Sequence, residues 1–150
     1  MQQLNRRIRI AFTQSSDGPR LTLFGPMDVD FTSLHSLFVK LSCGQAHYEL
    51  HELSFTYAIG AVRVYVQSSG TEQCPGNWQG ICEVPSQSGK EFQWRWSGRE
   101  WEAIAELVAS LIKSEIPSHQ YLNVGAGEDI IIVLSKGEYI DGVFPCLASP

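Results

Sequence analysis

The sequence lacks the features that would place the protein in a membrane, on nucleic acid or in a secretory pathway. No stretch approaches the roughly 18 consecutive apolar residues that a membrane helix needs. The arginines near the N-terminus are not followed by the apolar segment of a signal peptide. Lys plus Arg is 11 and Asp plus Glu is 16, a net charge of -5, so the excess of basic residues that phosphate-backbone binding needs is missing. We therefore expect a cytoplasmic protein with no membrane and no nucleic acid among its partners.

Cysteine is sparse too, and the four residues are Cys43, Cys74, Cys82 and Cys146. A chain of 150 residues that is 43% apolar can bury a core without disulfides, so we expect reduced thiols. The alternative is a local disulfide between Cys74 and Cys82, which flank a loop that contains proline and glycine.

Repeats, low-complexity stretches and interdomain linkers are also absent, and the length is usual for one domain. We therefore interpret residues 1–150 as a single domain. Apolar residues alternate over 8–12 and 21–23, which predicts a first hairpin. Alternation over 53–66 predicts a second hairpin with a bulge at Gly60.

Further strands are predicted at residues 81–84 and 92–96, followed by a buried central strand at 130–134. Hairpins dominate this order, and the helices do not alternate regularly with the strands. The pattern predicts an α+β fold, with a mostly antiparallel sheet of five to seven strands and two helices packed on one face.

The first predicted helix has apolar residues at i, i+3, i+4 and i+7, namely Leu34, Leu37, Phe38 and Leu41. Asp30 or Thr32 can cap it, and Gly44 can end it. The second predicted helix starts with Ser97 and Glu100 in capping-box spacing and ends before Pro117. Its expected buried face is Trp101, Ile104, Ala105, Val108 and Ile112.

Two sets of residues could carry chemistry. Cys43, His47 and His51 are spaced by four and could hold zinc, although no CxxC pair accompanies them. The opposing interpretation is surface histidines and a thiol near a helix end. His119 could act as a general acid–base group, or it could tie down a turn through backbone carbonyls. No nucleophile lies beside it, so we assign no catalytic residue and no cofactor.

Other residues indicate a surface that binds another protein. Trp78 lies in a long polar loop, where an exposed indole would anchor a partner. Glu102 and Glu106 share the solvent side of the second helix, and with Glu128 and Asp129 they form the best candidate for an acidic face. The simpler interpretation is a solvated surface.

Trp94, Trp96 and Trp101 have spacings that favour core packing over a stacking platform.

Residues 101–107, 117–123 and 129–139 together resemble the end of small uncharacterised bacterial proteins, some of which resemble immunity proteins of polymorphic toxin systems. The resemblance implies a toxin-neutralising role and brings no catalytic residue with it.

Three functions stay open at this point. The first is a non-enzymatic protein-binding module, an immunity protein whose acidic surface would steer a basic toxin domain. The second is a small metal-binding protein or enzyme that uses His47, His51 or His119. The third is a structural subunit that buries its aromatic residues in a homodimer.

Overall fold

A computed structural model describes residues 7–16, 18–44, 47–68, 79–124 and 129–139. Within these residues the chain forms two α-helices, nine strands and a short 3₁₀ helix at Leu50–Glu52. In chain order the elements are β1 Ile8–Ser15, β2 Gly18–Gly25, α1 Thr32–Ser42, β3 His47–Glu49, β4 Thr56–Ala58, β5 Val62–Ser68, β6 Gly80–Val84, β7 Lys90–Trp96, α2 Gly98–Ile112, β8 Ser118–Tyr121 and β9 Ile131–Lys136.

The described strands divide between two mixed sheets. A five-stranded sheet has the order β4-β1-β2-β9-β8, and a four-stranded sheet has the order β3-β5-β7-β6. The pairs β1–β4, β2–β9 and β5–β7 are parallel, and the other pairs are antiparallel. The predicted α+β class is confirmed. The strands nevertheless form two sheets rather than the one mostly antiparallel sheet of five to seven strands.

The second hairpin predicted for residues 53–66 is wrong. β4 pairs with β1 in one sheet, whereas β5 pairs with β3 and β7 in the other. The Thr56 hydroxyl gives a physical reason, because it donates to the carbonyl oxygens of Leu50 (2.6 Å) and Leu53 (3.1 Å) and holds this segment in a tight turn. Gly60, at φ 71°, lies in the turn between the two sheets and not in a β-bulge.

The sequence predicts a buried central strand at residues 130–134, and the structure confirms it as β9. β9 lies between β2 and β8, and residues 132–136 are all buried. Because successive side chains of a strand point to opposite faces, this run means that both faces of β9 are covered.

One hydrophobic core joins both helices to a face of each sheet. For α1, the buried residues are those that the spacing predicts, Leu34, Leu37, Phe38 and Leu41. For α2 they are Trp101, Ile104, Ala105, Val108 and Leu111, so Leu111 takes the place expected for Ile112. The two helices therefore pack in a core that both sheets share, rather than on one face of a single sheet.

Three aromatic rings meet where α1, α2 and β7 come together. Phe38 stacks on Trp101 with ring centroids 5.4 Å apart, and Trp94 contacts both rings edge-on at 5.7 and 5.1 Å. Trp94 and Trp101 are fully buried, and Trp96 is nearly so. The core role predicted for these tryptophans is confirmed.

The helix starts differ in detail from the predicted caps. At the start of α1 the side-chain oxygen that accepts from a free backbone amide comes from Asp30, whose Oδ1 accepts from the Thr32 amide at 2.8 Å. The side-chain and backbone hydrogen bonds from Thr32 lower the pKa of the Asp30 carboxyl. At α2, the Ser97 hydroxyl donates to the Glu100 carboxylate, so the two side chains bond each other instead of forming the reciprocal capping box with the backbone.

The end of α2 is held by a lysine from another element. The helix stops at Ile112, well before Pro117, so that proline is not its direct terminator. Buried Lys136 of β9 donates from Nζ to the carbonyl oxygens of Leu111 (3.3 Å), Ile112 (3.1 Å) and Ser114 (2.8 Å). Since α2 has no basic residue in its own last turn, β9 provides the positive charge that its C-terminus favours.

We expect Gly98→Ala to lower the free energy of unfolding, although alanine is the better helix former by up to about 1 kcal/mol. A Cβ at Gly98 would lie well inside van der Waals contact of the Ser42 carbonyl oxygen, because the start of α2 abuts the end of α1. Only a shift of the two helices relieves that overlap, and we expect a net loss of about 1–2 kcal/mol in urea denaturation.

Ser110→Ala is the matched control for Gly98→Ala, because Ser110 is exposed on the same helix. It should change the free energy of unfolding by less than about 0.5 kcal/mol. A stabilised Gly98→Ala protein would contradict the close helix approach.

Candidate functional site

Two carboxylates stand on the solvent side of α2. Glu102 and Glu106 are exposed and lie one helical turn apart, and Arg99, also exposed, lies one turn earlier. Asp129 is exposed on a different segment, just before β9. Trp78 and Glu128, the other members of the predicted partner surface, lie outside the described residues.

The candidate zinc ligands take separate structural roles. Cys43 is exposed at the end of α1, and His47 is exposed on β3. The His51 ring is almost fully buried, and its Nδ1 accepts from the Val64 amide at 3.0 Å. This bond fastens the 3₁₀ helix to β5. Within the described residues, no three His, Cys, Asp or Glu side chains converge to hold a metal ion.

His119 belongs to a polar cluster that the sequence did not reveal. Glu138 accepts from His119 Nδ1 at 2.8 Å and from the buried Ser135 hydroxyl. Nucleophilic catalysis requires the serine to bond the imidazole, with the carboxylate behind the ring. Here the carboxylate lies between the other two groups, so the serine is not activated. The cluster instead joins β8 to the turn after β9.

A second cluster of polar side chains lies on the outer face of the four-stranded sheet. Strand register places His47, Gln67 and Arg95 in one row across β3, β5 and β7, and Tyr65 pairs with Gln93 in the next row. These side chains line a cavity of about 270 Å³. The alternation of polar residues in β5 and β7 was visible in the sequence. The parallel pairing that brings the two strands together was not.

Cys82 lies on β6 opposite Gln93. Partial burial raises the pKa of its thiol, and the positive charge of Arg95 opposes that rise only in part. Because the thiolate is the nucleophilic form, this cysteine is a poor nucleophile at neutral pH. Cys43 and Cys82 carry free thiols, whereas Cys74 and Cys146 lie outside the described residues.

No family model, no curated protein and no solved structure matches this chain. Neither of the two helices in the described part of the chain has the length and apolar character needed to cross a membrane.

Proposed function

We propose that this chain is a cytoplasmic, non-enzymatic protein-binding module that acts as an immunity protein and neutralises a basic toxin domain. The observation that carries the proposal is the exposed carboxylate pair Glu102 and Glu106 on α2. Their helix is anchored by a fully packed opposite face, so the two charges are presented on a rigid element.

The electrostatics of this pair suit a cationic partner. Like charges at i, i+4 repel each other by a few tenths of a kcal/mol in an isolated helix. A basic surface that meets them relieves this repulsion and gains from charge complementarity, which acts mainly on the rate of association. The chain as a whole carries a net charge of -5, which adds long-range attraction for a basic protein.

Several polar groups that could have supported an enzyme are committed to the fold. His51 is bonded to β5, and Glu138 bridges His119 and Ser135. Trp94 and Trp101 are buried within one chain, so they need no second copy to leave water. These assignments favour a recognition role over a catalytic or aromatic-dimer role.

The partner is to be sought in the neighbouring open reading frame, since immunity proteins are expected to be encoded beside their toxins. Co-expression of this chain with the toxin domain from that frame should restore growth to cells that the toxin domain alone arrests. If growth stays arrested and the two purified proteins form no complex, the proposal is wrong.

We expect the double charge reversal Glu102→Lys with Glu106→Lys to slow association with that toxin domain by about tenfold at low salt. The reason is that the reversal places two cations where the partner's basic surface approaches. Stopped-flow or surface plasmon resonance kinetics at several salt concentrations measure the effect.

The matched control reverses two exposed carboxylates elsewhere, Asp28→Lys with Glu52→Lys, and produces the same change of net charge. This control should slow association by no more than about twofold. Equal slowing by both double variants would mean that net charge, and not the α2 pair, drives the encounter.

A further inference from the structure

The five-stranded sheet is buried on both faces, although the main core lies on only one of them. Its inner face carries Ile10, Leu23 and Leu134, which pack with both helices and the four-stranded sheet. The side chains between them point to the outer face. There the residues of three neighbouring strands are at most 6% exposed, namely Ala11, Thr13, Thr22, Phe24, Val133 and Ser135.

The described side chains account for only part of this burial. Ile59 and Tyr139 pack, partly buried, against Ala11 and Phe24. Thr22 lies on β2, with Ala11 of β1 on one side and Val133 of β9 on the other, and it is 0% exposed. Because the side chains of a sheet stand perpendicular to it, neighbouring strands alone cannot keep such a residue dry. A further stretch of chain must therefore lie across this face.

The end of β9 leads the chain onto the outer face. The Gly137 amide donates to the Gly25 carbonyl oxygen at 2.8 Å, which turns the chain back towards β2. The Tyr139 ring then meets Phe24 edge-on, with ring centroids 5.1 Å apart. The next residues in the sequence, 140–150, lie outside the described ranges. The last described contact before them is therefore already a contact with the outer face.

The length of this segment is sufficient to cross the sheet. Eleven residues can span up to about 36 Å when extended. The outer-face rows run along β2 from Phe24 to Arg20, a distance of about 13 Å. Three adjacent strands add about 10 Å in the other direction. A chain that starts at Tyr139 can therefore reach every buried residue of this face.

The composition of the segment matches the face. Its apolar residues are Ile140, Val143, Phe144, Cys146, Leu147 and Ala148, and it carries one charge, on Asp141. Residues 1–6, which lead into β1 at the same edge, offer only Met1 and Leu4. Burial of apolar side chains is the main favourable term in such packing, so residues 140–150 are the better cover.

Two polar groups on the face also point to a covering segment. The Oγ1 atoms of Thr13 and Thr22 are buried, and neither has a hydrogen-bond partner among the described residues. A buried hydroxyl costs free energy unless it is bonded. The main chain of a segment that crosses the face has carbonyl oxygens that can accept from such hydroxyls.

We propose that the outer face of the five-stranded sheet is a docking surface for residues 140–150 of the same chain. The segment crosses β2 and β9, with its apolar side chains against Phe24 and Val133. It supplies the second layer that a sheet buried on both faces requires. This docking is separate from the acidic surface of α2 and does not depend on the toxin partner.

The test places a nitroxide on Cys146 of the full chain, in a variant with Cys43→Ser, Cys74→Ser and Cys82→Ser. A nitroxide broadens the NMR signals of nearby nuclei, and reduction with ascorbate restores them. The matched control keeps Cys82 as the labelled thiol and changes the other three cysteines to serine. Cys82 is exposed on β6, in the other sheet.

With the label on Cys146 we expect loss of the Thr22 and Val133 methyl signals, and their return on reduction. With the label on Cys82, Ile81 should be broadened more strongly than Val133. A shift of the Thr22 and Val133 signals when Cys146 is labelled also supports docking, because it places residue 146 beside them. Unshifted signals without broadening overturn the proposal.

A mixed sample identifies a second copy as the occupant. It combines isotope-labelled chain that carries no nitroxide with unlabelled chain that carries the nitroxide on Cys146. Docking within one chain should leave the Thr22 and Val133 signals of this sample intact. Their loss in the mixed sample would mean that the segment of another copy covers the face, and it would overturn the proposal.

A substitution tests the same contact without a label. Phe144→Ser removes the largest apolar side chain of the segment, so it should uncover the face and raise the fluorescence of the apolar dye ANS several-fold. Val39→Ser is the control, because Val39 is 41% exposed on α1, and it should cause no rise. Equal responses of the two variants would contradict the docking of this segment. Glu102→Lys with Glu106→Lys should leave the Cys146 broadening unchanged, so this proposal and the toxin proposal fail independently.

Discussion

Trp101→Ala should lower the free energy of unfolding by about 3–5 kcal/mol, the largest loss that we expect from a single substitution in this protein. The indole is fully buried, stacks on Phe38 and meets Trp94 edge-on. Its Nε1 also donates to the Gln67 carbonyl oxygen at 3.1 Å, which ties α2 to β5. Alanine would leave a cavity among three elements and an unsatisfied carbonyl.

Urea denaturation, followed by circular dichroism, measures this loss. Trp101→Phe keeps an aromatic ring but not the donor, and it should lose less stability than the alanine variant. Tyr121→Ala is the control for an aromatic side chain outside the core, because Tyr121 is 51% exposed. It should cost less than about 1 kcal/mol. A loss below about 1 kcal/mol for Trp101→Ala would contradict the three-ring cluster.

Lys136→Met should lower the free energy of unfolding by about 3 kcal/mol, because it removes a buried donor from three carbonyl oxygens. Methionine has a similar volume but cannot donate a hydrogen bond. The last turn of α2 would then lose both its hydrogen-bond partner and the favourable charge at the negative end of the helix dipole.

Two further variants test that interpretation by the same denaturation measurement. Lys136→Arg keeps the charge and donors and should recover part of the stability. Lys90→Met removes an exposed lysine that pairs with Glu83 at 3.1 Å, and it should cost less than about 1 kcal/mol. If Lys90→Met and Lys136→Met were equally destabilising, the capping role of Lys136 would be refuted. Amide exchange should also quicken at the end of α2 in Lys136→Met.

Periodicity predicted the elements whose folding is decided locally. The apolar face of α1 and the alternation over 8–12 each depend on neighbours within two turns or one hairpin, and both appear as predicted. Residues 53–59 alternate as well, yet the Thr56 hydroxyl competes for backbone carbonyls and breaks the run. A hydrogen bond of this kind leaves no period in the sequence.

The polar sites were harder to predict, for a related reason. Glu102 and Glu106 could be assigned to one helical surface because their spacing alone defines it. Arg95 is near Gln67 only because β5 and β7 pair in parallel across a long connection, and Lys136 reaches α2 from another element. Tertiary topology decides which of these distant residues become neighbours, and no spacing pattern between nearby residues in a single sequence reveals it.

The place of β9 in the five-stranded sheet has a consequence for the order of folding. Arg20 pairs with Ile131, so β2 has no neighbour on one edge until nearly all of the described chain has left the ribosome. Until then the β1–β2 hairpin presents an open row of amides and carbonyls, which is a template for wrong pairing. The open edge therefore persists through the interval between the emergence of β2 and that of β9, and closure of this sheet is a natural slow step.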